Sequence, residues 1–344
     1  MNENMDKIKV SVVIPCRNEE KYIGECLDSI INQSYGIQNI EVMVADGCSE
    51  DNTQNIIKEY ENNYPQIKLL INNKKAAPYA MNLGINNSTG QVIIIFGAHA
   101  YMDKNYVSIC VKKLQNEEID CVGGRIENIS ESESAKAISL AMSSPFGVGN
   151  ALFRYSDTEE LVDTVAFGAY KRETFDKIGL FDEQFIRNQD DELNFRIIKS
   201  GGKILLCPDI ISYYYTRGSY KKLWRQYFQY GFWKVRVIQK HKRPASIRHI
   251  IPMLFVLGLL LGGVLSFFFK FIRYIYFAVV SIYAASSIYF SYKITDGDFK
   301  YLFKVVLSFI ILHISYGLGF IDGLITFYLT KNYDKINKNT KTSR

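Results

Sequence analysis

Short apolar runs alternate with amphipathic stretches through the first hundred residues. Buried strands are predicted at Lys9–Pro15, Ile40–Ala45, Ile67–Ile71 and Gln91–Phe96. Helices are predicted from Asn18 to about Gln33, from the turn after Asp51 to about Asn63, and at Ala76–Asn86. Strands that alternate with helices at this spacing predict a parallel α/β sheet with right-handed crossovers.

The pattern loosens after Leu114. Cys121–Arg125 predicts a strand edge, and the small-residue stretch Ser130–Arg154 predicts helical or irregular structure. An apolar run with a central glycine follows at Val165–Tyr170. A late strand is predicted at Ile204–Cys207, where Pro208 would end it.

The last hundred residues are much richer in apolar residues than the rest. Stretches long enough to span a bilayer occur at His249–Phe269, Tyr274–Tyr292 and Tyr301–Leu329. A basic, aromatic helix at Tyr220–Lys240 precedes them, and such a helix beside a membrane span usually lies in the interface. The alternative is a solvated helix on the surface of the domain.

This asymmetry predicts a soluble front and a membrane-embedded back. The expected divisions are a catalytic domain at 1–218, the interfacial helix at 219–248, about three transmembrane helices within 249–330, and a basic tail at 331–344. The net charge of +6 is modest, and much of it lies beside the apolar stretches. That placement favours anionic lipid head groups rather than nucleic acid as the partner. The six cysteines form no Cys-x-x-Cys pair, which favours reduced thiols in a cytosolic domain.

The basic residues and the lengths of the apolar stretches give conflicting predictions for the number of membrane crossings. Cations at Lys240, Lys242, Arg243 and Arg248 place the start of the first span inside the cell, with a cytoplasmic front domain. Three spans would then place the tail outside, although it carries Lys331, Lys335, Lys338, Lys341 and Arg344. An even count results if the third stretch is re-entrant or lies along the interface around Asp322, or if two stretches form one hairpin. The length of the stretches favours three.

A second pattern is the acidic opening of one amphipathic segment, Gln189–Arg196. Asp190, Asp191 and Glu192 are consecutive, and apolar residues follow until Gly201 stops the helix. Carboxylates are favoured at a helix N-terminus by the helix dipole. A charged helix start with no catalytic role is the plain alternative.

Together these motifs resemble the family-2 glycosyltransferases of GT-A (Rossmann-like) fold. The motifs of this chain that resemble the family's nucleotide-sugar half are Val12–Pro15, Asn18-Glu19, Asp46-Gly47 with Ser49 and Asp51–Thr53, and Ala80–Asn82 with Gly84. Those that resemble its acceptor half are Ala166–Tyr170, Gly179–Glu183 and Gln189–Arg196. Arg225-Gln226, Tyr230-Gly231 and the terminal apolar stretches resemble a narrower group, the membrane-bound bacterial enzymes of succinoglycan type.

The resemblance implies an inverting sugar transfer from a nucleotide-diphosphate sugar, such as a UDP-sugar. The acceptor would be a lipid-linked or polysaccharide glycan, as in exopolysaccharide synthesis at the plasma membrane of a bacterial-type cell. Asp46, at a strand end, can accept the uracil N3–H, although a turn aspartate can also bond its own backbone. Pro15, Glu19, Lys75 and Asn82 belong to the implied donor site, and Asp182 to the acceptor side. Arg225 and Gln226 are implied as further substrate-binding residues.

For catalysis, the resemblance places the base at Asp190, with Asp191 and Glu192 beside it. A base must take the proton of the acceptor hydroxyl, and the leaving diphosphate needs charge stabilisation. The chain departs from the family pattern at the metal position, where Asp-x-Asp is usual and Gly97-Ala98-His99 stands instead. His99 remains as a possible ligand of a divalent cation, and imidazole suits Mn²⁺ better than Mg²⁺. A hydrogen-bonded structural histidine is the alternative, and Asp103 is a further candidate ligand.

Two other classes of function remain open. One is a membrane scaffold that keeps the fold but has lost the metal site, for which Gly97 is the best argument. The other is a nucleotidyltransferase, which would need a glycine-rich basic loop after the first strand. Cys16-Arg17-Asn18-Glu19 does not provide one.

Overall fold

The computed structural model describes residues 8–216, 218–244 and 246–331. The chain divides into two compact units. Unit 1 comprises the residues up to Asn128 together with Leu152–Tyr215. Unit 2 comprises Ile129–Ala151 and the residues from Thr216 onward.

Unit 1 is built on one nine-stranded sheet. Its strands are β1 (Val10–Cys16), β2 (Ile40–Asp46), β3 (Ile67–Ile71), β4 (Val92–Ile95), β5 (Ala100–Met102), β6 (Cys121–Ile129), β7 (Glu160–Leu161), β8 (Ala166–Lys171) and β9 (Ile204–Tyr215). Their order is β3-β2-β1-β4-β8-β6-β9-β5, with β7 also paired to β9.

The helices follow in chain order. They are α1 (Ile23–Ile31), α2 (Thr53–Asn63), α3 (Ala77–Asn86), α4 (Tyr106–Leu114), α5 (Glu133–Met142), α6 (Pro145–Val148), α7 (Arg172–Ile178), α8 (Gln189–Lys199), α9 (Tyr220–His241), α10 (Ile251–Phe268), α11 (Lys270–Ile294) and α12 (Phe299–Leu324). A π-helical turn at Ile325–Thr330 continues α12.

The sheet is mixed. β1 pairs in parallel with β2 and β4, and β2 pairs in parallel with β3, as the alternation of strands and helices predicts. β8 then pairs antiparallel with both β4 and β6, and β5 and β7 pair antiparallel with β9. The parallel strands read as continuous apolar runs because helices cover both faces, and β1 and β2 are buried along almost their whole length.

Two sequence-based predictions for unit 1 were wrong in detail. The first helix begins at Ile23 and not at Asn18, so residues 18–22 form a loop at the end of β1. The last strand does not stop at Pro208 but continues to Tyr215. Pro208 is tolerated because it lies between the ladder to β7, which ends at Leu206, and the ladder to β5, which begins at Ser212.

Within the described part of unit 2, three helices are long and apolar enough to cross a membrane, as the sequence predicts. They comprise Ile247–Phe268, Lys270–Ile294 and Phe299–Thr330. The sequence predicts that α9 lies in the membrane interface. In the structure, Phe232 and Trp233 of this helix pack against Phe327, and only Trp224 of the two tryptophans is exposed.

Candidate active site

The polar loops of unit 1 meet at the carboxyl ends of the parallel strands. β1 leads into Arg17–Tyr22, β2 into Gly47–Asn52, and β3 into Asn72–Ala76. Adjacent parallel strands present these loops at one edge of the sheet, which is where open α/β sheets bind ligands. Four candidate donor residues, Pro15, Glu19, Asp46 and Lys75, lie on this edge, whereas Asn82 lies within α3.

The loops after β1 and β2 are joined by their own polar groups. Asn18, at a left-handed φ of 54°, donates its backbone N–H to Ser49 Oγ at 2.8 Å and accepts the Glu50 N–H on its Oδ1 at 2.8 Å. Asn52 donates its N–H to Glu20 Oε2 at 2.9 Å. Because each loop donates hydrogen bonds to the other, the two loops hold each other in place and form one rigid wall at the sheet edge.

Asp51 lies within this wall. Burial opposes its ionisation, but hydrogen bonds from the Thr53 side chain and backbone outweigh burial and hold the pKa of Asp51 below its usual range. The Thr53 hydroxyl donates to Asp51 Oδ1 at 2.5 Å and also accepts the Glu19 N–H at 2.8 Å. The resulting negative charge is therefore part of the loop structure.

Asp46 is fully buried at the end of β2. Its Oδ2 accepts the Ser49 N–H at 2.9 Å and Gln54 Nε2 at 2.6 Å, and its Oδ1 accepts the Ser49 hydroxyl. The turn-aspartate geometry that the sequence left open is thus present. An ionised carboxylate offers about four acceptor positions, so a further donor from a ligand is compatible with these bonds.

Gly47 brings two cationic residues to the same place. A Cβ on Gly47 would lie 3.4 Å from Lys75 Cα and 3.4 Å from the Arg17 side chain. Lys75 has an exposed side chain and a φ of 59°, and Arg17 is half-buried. Pro15, half-buried within β1, lies two residues before Arg17. Cations at this edge suit an anionic ligand such as a diphosphate.

The metal position holds one ligand-type pair. His99 Nδ1 lies 3.6 Å from Glu19 Oε1, and both side chains are largely buried. The His99 ring also packs edge-on against Tyr214, 4.8 Å between ring centroids. Among the described residues, no group of three or more His, Cys, Asp or Glu side chains is placed to hold a metal. Asp103 accepts the Asn105 N–H at 3.0 Å, at the start of α4.

Gly97 has a steric reason to lack a side chain. A Cβ built on it would lie 2.8 Å from Cε1 of Phe167, whose ring packs on Phe96 at 4.7 Å between centroids. The carboxylate that the family pattern places here is therefore excluded by the packing of this chain.

We expect Gly97→Asp to give no gain in Mn²⁺ affinity and to destabilise unit 1 by about 1–3 kcal/mol, since the Cβ overpacks the Phe167 ring. Mn²⁺ titration and hydrogen exchange of β4 and β8 measure the two effects. Gly97→Ala is the matched control, because it adds the same Cβ without a ligand. A stable Gly97→Asp variant with tighter Mn²⁺ binding would contradict this account of the position.

The acidic residues of the acceptor half open α8, as predicted. Asn188, in the left-handed region at φ 58°, precedes the helix, and Asp190, Asp191 and Glu192 occupy its first turn. Asp190 is exposed, and Asp191 is half-buried with its N–H donated to Asp190 Oδ1 at 2.9 Å. An exposed carboxylate at a helix N-terminus can reach a substrate hydroxyl.

Glu192 differs from its two neighbours. It is fully buried, and Arg196 one turn later donates to both of its carboxylate oxygens, with Nη2 at 2.9 Å from Oε2. Arg196 also donates to the backbone oxygens of Ile178, Gly179 and Leu180 at 2.6, 3.0 and 2.7 Å. This geometry favours a positioning role for Glu192 rather than the catalytic role predicted for it.

Asn82 on α3 binds the segment that follows residues 178–180. Its Nδ2 donates to the Phe181 carbonyl at 2.9 Å, and its Oδ1 accepts the Phe181 N–H at 3.0 Å. Asp182 follows directly and accepts the Gln184 N–H at 2.9 Å. Asn82 therefore holds the turn that carries Asp182 against α3.

A buried polar network supports α8 from below. Asn194 donates to Thr164 Oγ1 at 3.0 Å and accepts the Tyr170 hydroxyl at 3.4 Å. Burial raises the pKa of Tyr170, and the charges of Cys121 and Asp190 add to that effect. The roles of Asn194 and Arg196 are not predicted from the sequence above, although the spacing of four residues between Glu192 and Arg196 is typical of a helical ion pair.

Arg225 and Gln226 belong to unit 2, on α9. Arg225 is exposed, whereas Gln226 is buried and donates its Nε2 to the Tyr230 hydroxyl at 2.8 Å.

The fold and these loops define a protein of the GT-A class. The family described as Glycosyl transferase family 2 matches residues 11–179. A dolichyl N-acetyl-α-D-glucosaminyl phosphate 3-β-D-2,3-diacetamido-2,3-dideoxy-β-D-glucuronosyltransferase from Methanococcus voltae is 36% identical over 271 residues, covering 76% of this chain and 84% of that protein. The chain belongs to glycosyltransferase family 2 and is an enzyme of that class.

Two further comparisons agree. Succinoglycan biosynthesis protein ExoA from Rhizobium meliloti (strain 1021) is 25% identical, covering 92% of this chain and 95% of that protein. The solved structure of mannosyltransferase PcManGT from Pyrobaculum calidifontis, in complex with GDP-Man and Mn²⁺, has a TM-score of 0.60 at 19% identity, covering 92% of this chain and 87% of that one. This structural likeness shows the GT-A fold.

Proposed function

We propose that this chain is a membrane-anchored inverting glycosyltransferase. It would move a sugar from a nucleotide-diphosphate sugar, with a UDP-sugar as the first candidate, to a lipid-linked or polysaccharide acceptor. The observation that carries the proposal is the acidic first turn of α8: Asp190 is exposed, while Glu192 is buried and fixed by Arg196. One carboxylate is thus accessible for chemistry and another orients the helix.

The donor would lie along the carboxyl ends of β1 and β2. Asp46 would accept the uracil N3–H, Pro15 and Glu19 would shape the nucleoside pocket, and Lys75 would face the diphosphate. The wall formed by the loops after β1 and β2 supports this placement, because its bonds hold Asp46 in one position before the donor arrives. Preorganised acceptors lose less entropy on binding.

We expect Asp46→Ala to weaken donor binding by about 1–3 kcal/mol, because the donor N–H would be left unpaired in a buried site. Calorimetry with UDP measures the effect. Ser49→Ala is the control, since it removes one bond of the turn but keeps the carboxylate. If both variants lose the same affinity, Asp46 acts only through the turn, and an unchanged affinity in Asp46→Ala rules out the uracil role.

The reaction would be one in-line displacement at the anomeric carbon. Asp190 would take the proton of the acceptor hydroxyl as the attacking oxygen forms its bond and the bond to the diphosphate breaks. Asp191 would lie beside it in the same helical turn, and Asp182 would orient the acceptor. Glu192 would act through Arg196, which holds residues 178–180 in place.

A divalent cation is proposed for the diphosphate. His99 and Glu19 are the two ligand-type side chains that the structure brings together, and diphosphate oxygens would complete the coordination. A mixed nitrogen and oxygen set suits Mn²⁺ better than Mg²⁺. When bound, the cation would neutralise the leaving diphosphate.

We expect His99→Ala to lower transfer and to reduce its response to added Mn²⁺, because the imidazole is the only histidine ligand proposed there. Transfer is measured across an Mn²⁺ titration in wild type and variant. Tyr214→Phe serves as the control for packing of the His99 ring. Full wild-type activity in a chelator would mean that no cation is used and that His99 is structural.

The acceptor is proposed from the relatives and from unit 2. The Methanococcus voltae relative is named for a dolichyl-linked phosphate acceptor, and the Rhizobium meliloti relative for succinoglycan biosynthesis. A lipid-linked or glycan acceptor at the plasma membrane fits the three apolar helices of unit 2, with the catalytic unit cytoplasmic, where nucleotide sugars are made. No nucleic acid partner is proposed.

A catalytically impaired scaffold is the second candidate, and Gly97 is the observation that favours it. Membranes that contain the protein are incubated with radiolabelled nucleotide sugars, and lipids are extracted. Label in lipid or polymer supports the enzyme. Nucleotide binding without any transfer supports the scaffold.

A further inference from the structure

We infer that only α10 and α11 cross the membrane, and that α12 lies with α9 in the inner leaflet interface as one helical layer. The inference rests on the membrane anchoring proposed above and deepens it. It names the surface of unit 2 that meets lipid and the kind of lipid that it meets.

The first observation is that α9 and α12 lie side by side along their length, in the same direction. The Tyr220 hydroxyl donates to the Lys304 carbonyl at 3.4 Å near the start of both helices. At the other end, Gln239 Nε2 donates to the Phe327 carbonyl at 3.2 Å. The two helices must therefore lie at the same depth in or beside the bilayer.

The contact between them is close and glycine-based. A Cβ on Gly319 would lie 2.0 Å from the Phe228 carbonyl oxygen, and one on Gly323 would lie 2.6 Å from that of Phe232. A Cβ on Gly231 of α9 would lie 2.1 Å from the Tyr316 carbonyl oxygen of α12. Small residues at four-residue spacing let helix backbones touch. Such a contact leaves no room for lipid between the helices.

The second observation is the charge on α9. The helix carries Lys and Arg residues from its first turn to its last, and no acidic residue: Lys221, Lys222, Arg225, Lys234, Arg236 and Lys240. Charged residues throughout a helix are incompatible with crossing a bilayer core. At about 100° per residue, all of these except Lys234 fall on one face. A cationic face of this kind suits anionic phospholipid head groups.

The third observation is the contrast among the three apolar helices. Half of the apolar window of α12 is buried inside the protein, against 11% for α10 and 6% for α11. α12 exposes one apolar stripe, with Phe299 at 71% and Phe303 at 73%, continued by Leu307 and Ile310. α12 therefore contacts lipid through this one stripe, while its opposite face is covered by protein.

Length and charge agree with this arrangement. The α12 stretch of 32 residues is about 48 Å long at ~1.5 Å per residue, well beyond the ~30 Å of a bilayer core. Its N-terminal end pairs Lys300 and Lys304 with Glu133 of α5. An even number of crossings places the basic residues before α10 and the basic residues from Lys331 onward on the same, inner side.

The test is cysteine labelling of the full-length protein in intact cells with a membrane-impermeant maleimide. Phe269→Cys lies at the junction of α10 and α11, and Asp296→Cys lies between α11 and α12. Lys331→Cys follows the π-helical turn. The native cysteines are buried except the half-buried Cys48, and wild type gives the background.

The inference predicts labelling of Phe269→Cys from outside, and protection of Asp296→Cys and Lys331→Cys until the cells are opened. Labelling of Lys331→Cys from outside, to the extent of Phe269→Cys, would overturn it in favour of three crossings. Protection of Phe269→Cys would overturn it as well, because α10 and α11 would not cross. A fluorescent protein fused after Arg344, which matures only in the cytosol, repeats the test without a cysteine. Sugar transfer in the same membranes is scored separately, so that its loss affects the proposed function and not the topology.

Discussion

Replacing Asp190 by Asn is expected to lower kcat by about 10²–10⁴-fold while leaving nucleotide-sugar affinity nearly unchanged. The amide cannot take the proton of the acceptor hydroxyl, and loss of a positioned base typically costs this much. The residue is exposed in the first turn of α8, so the substitution removes a charge without opening the core. Steady-state transfer kinetics and calorimetry with the nucleotide separate the two effects.

Asp191→Asn is the matched control, since it removes the same charge from the same helical turn. We expect a smaller loss from it, because its carboxylate is half-buried beside the helix N-terminus. Near-normal turnover in Asp190→Asn, together with a large loss in Asp191→Asn, would show that the base is Asp191 and not Asp190.

Replacing Arg196 by Met is expected to destabilise unit 1 by about 3–5 kcal/mol. The Glu192 carboxylate would remain fully buried without its cation, and an uncompensated buried charge costs this much. The backbone oxygens of Ile178, Gly179 and Leu180 would also lose their donor. The turn that carries Asp182 should therefore lose order first.

Hydrogen exchange of the full-length protein in detergent measures this effect on residues 178–199. Protection should fall by about two to four orders of magnitude, since ~1.4 kcal/mol is tenfold. The control is the double variant Glu192→Gln/Arg196→Met, which removes the charge as well. It should recover part of the protection. Equal losses in the single and double variants would show that the buried charge is not the cause.

The sequence predicted the parts of the fold that follow from local pattern. β1 to β4 are short apolar runs with turns between them, and their positions differ from the prediction by only one or two residues. The acidic start of α8 was also visible, because the helix dipole and the apolar spacing agree there. Family membership followed from the order of such motifs.

Contacts between residues far apart in the chain could not be predicted from the pattern of hydrophobic and polar positions. The bonds of Asn82 to Phe181, and the packing of Phe167 over Gly97, join residues about 70 to 100 positions apart in the chain. The aromatic residues of α9 gave a membrane signal, yet Tyr227, Phe232 and Trp233 are buried in the protein. Periodicity shows that a helix face is apolar, but it does not tell protein from lipid as the partner.

The most direct test of the proposed function is transfer itself. Membranes containing wild-type protein or the Asp190→Asn variant are incubated with a panel of radiolabelled UDP- and GDP-sugars, and the lipid and polymer fractions are counted. We predict that one donor labels the lipid or polymer fraction with wild type, and that Asp190→Asn reduces this label at least about 100-fold. Binding of a nucleotide sugar by wild type with no label from any donor, or equal label from both proteins, would contradict the account.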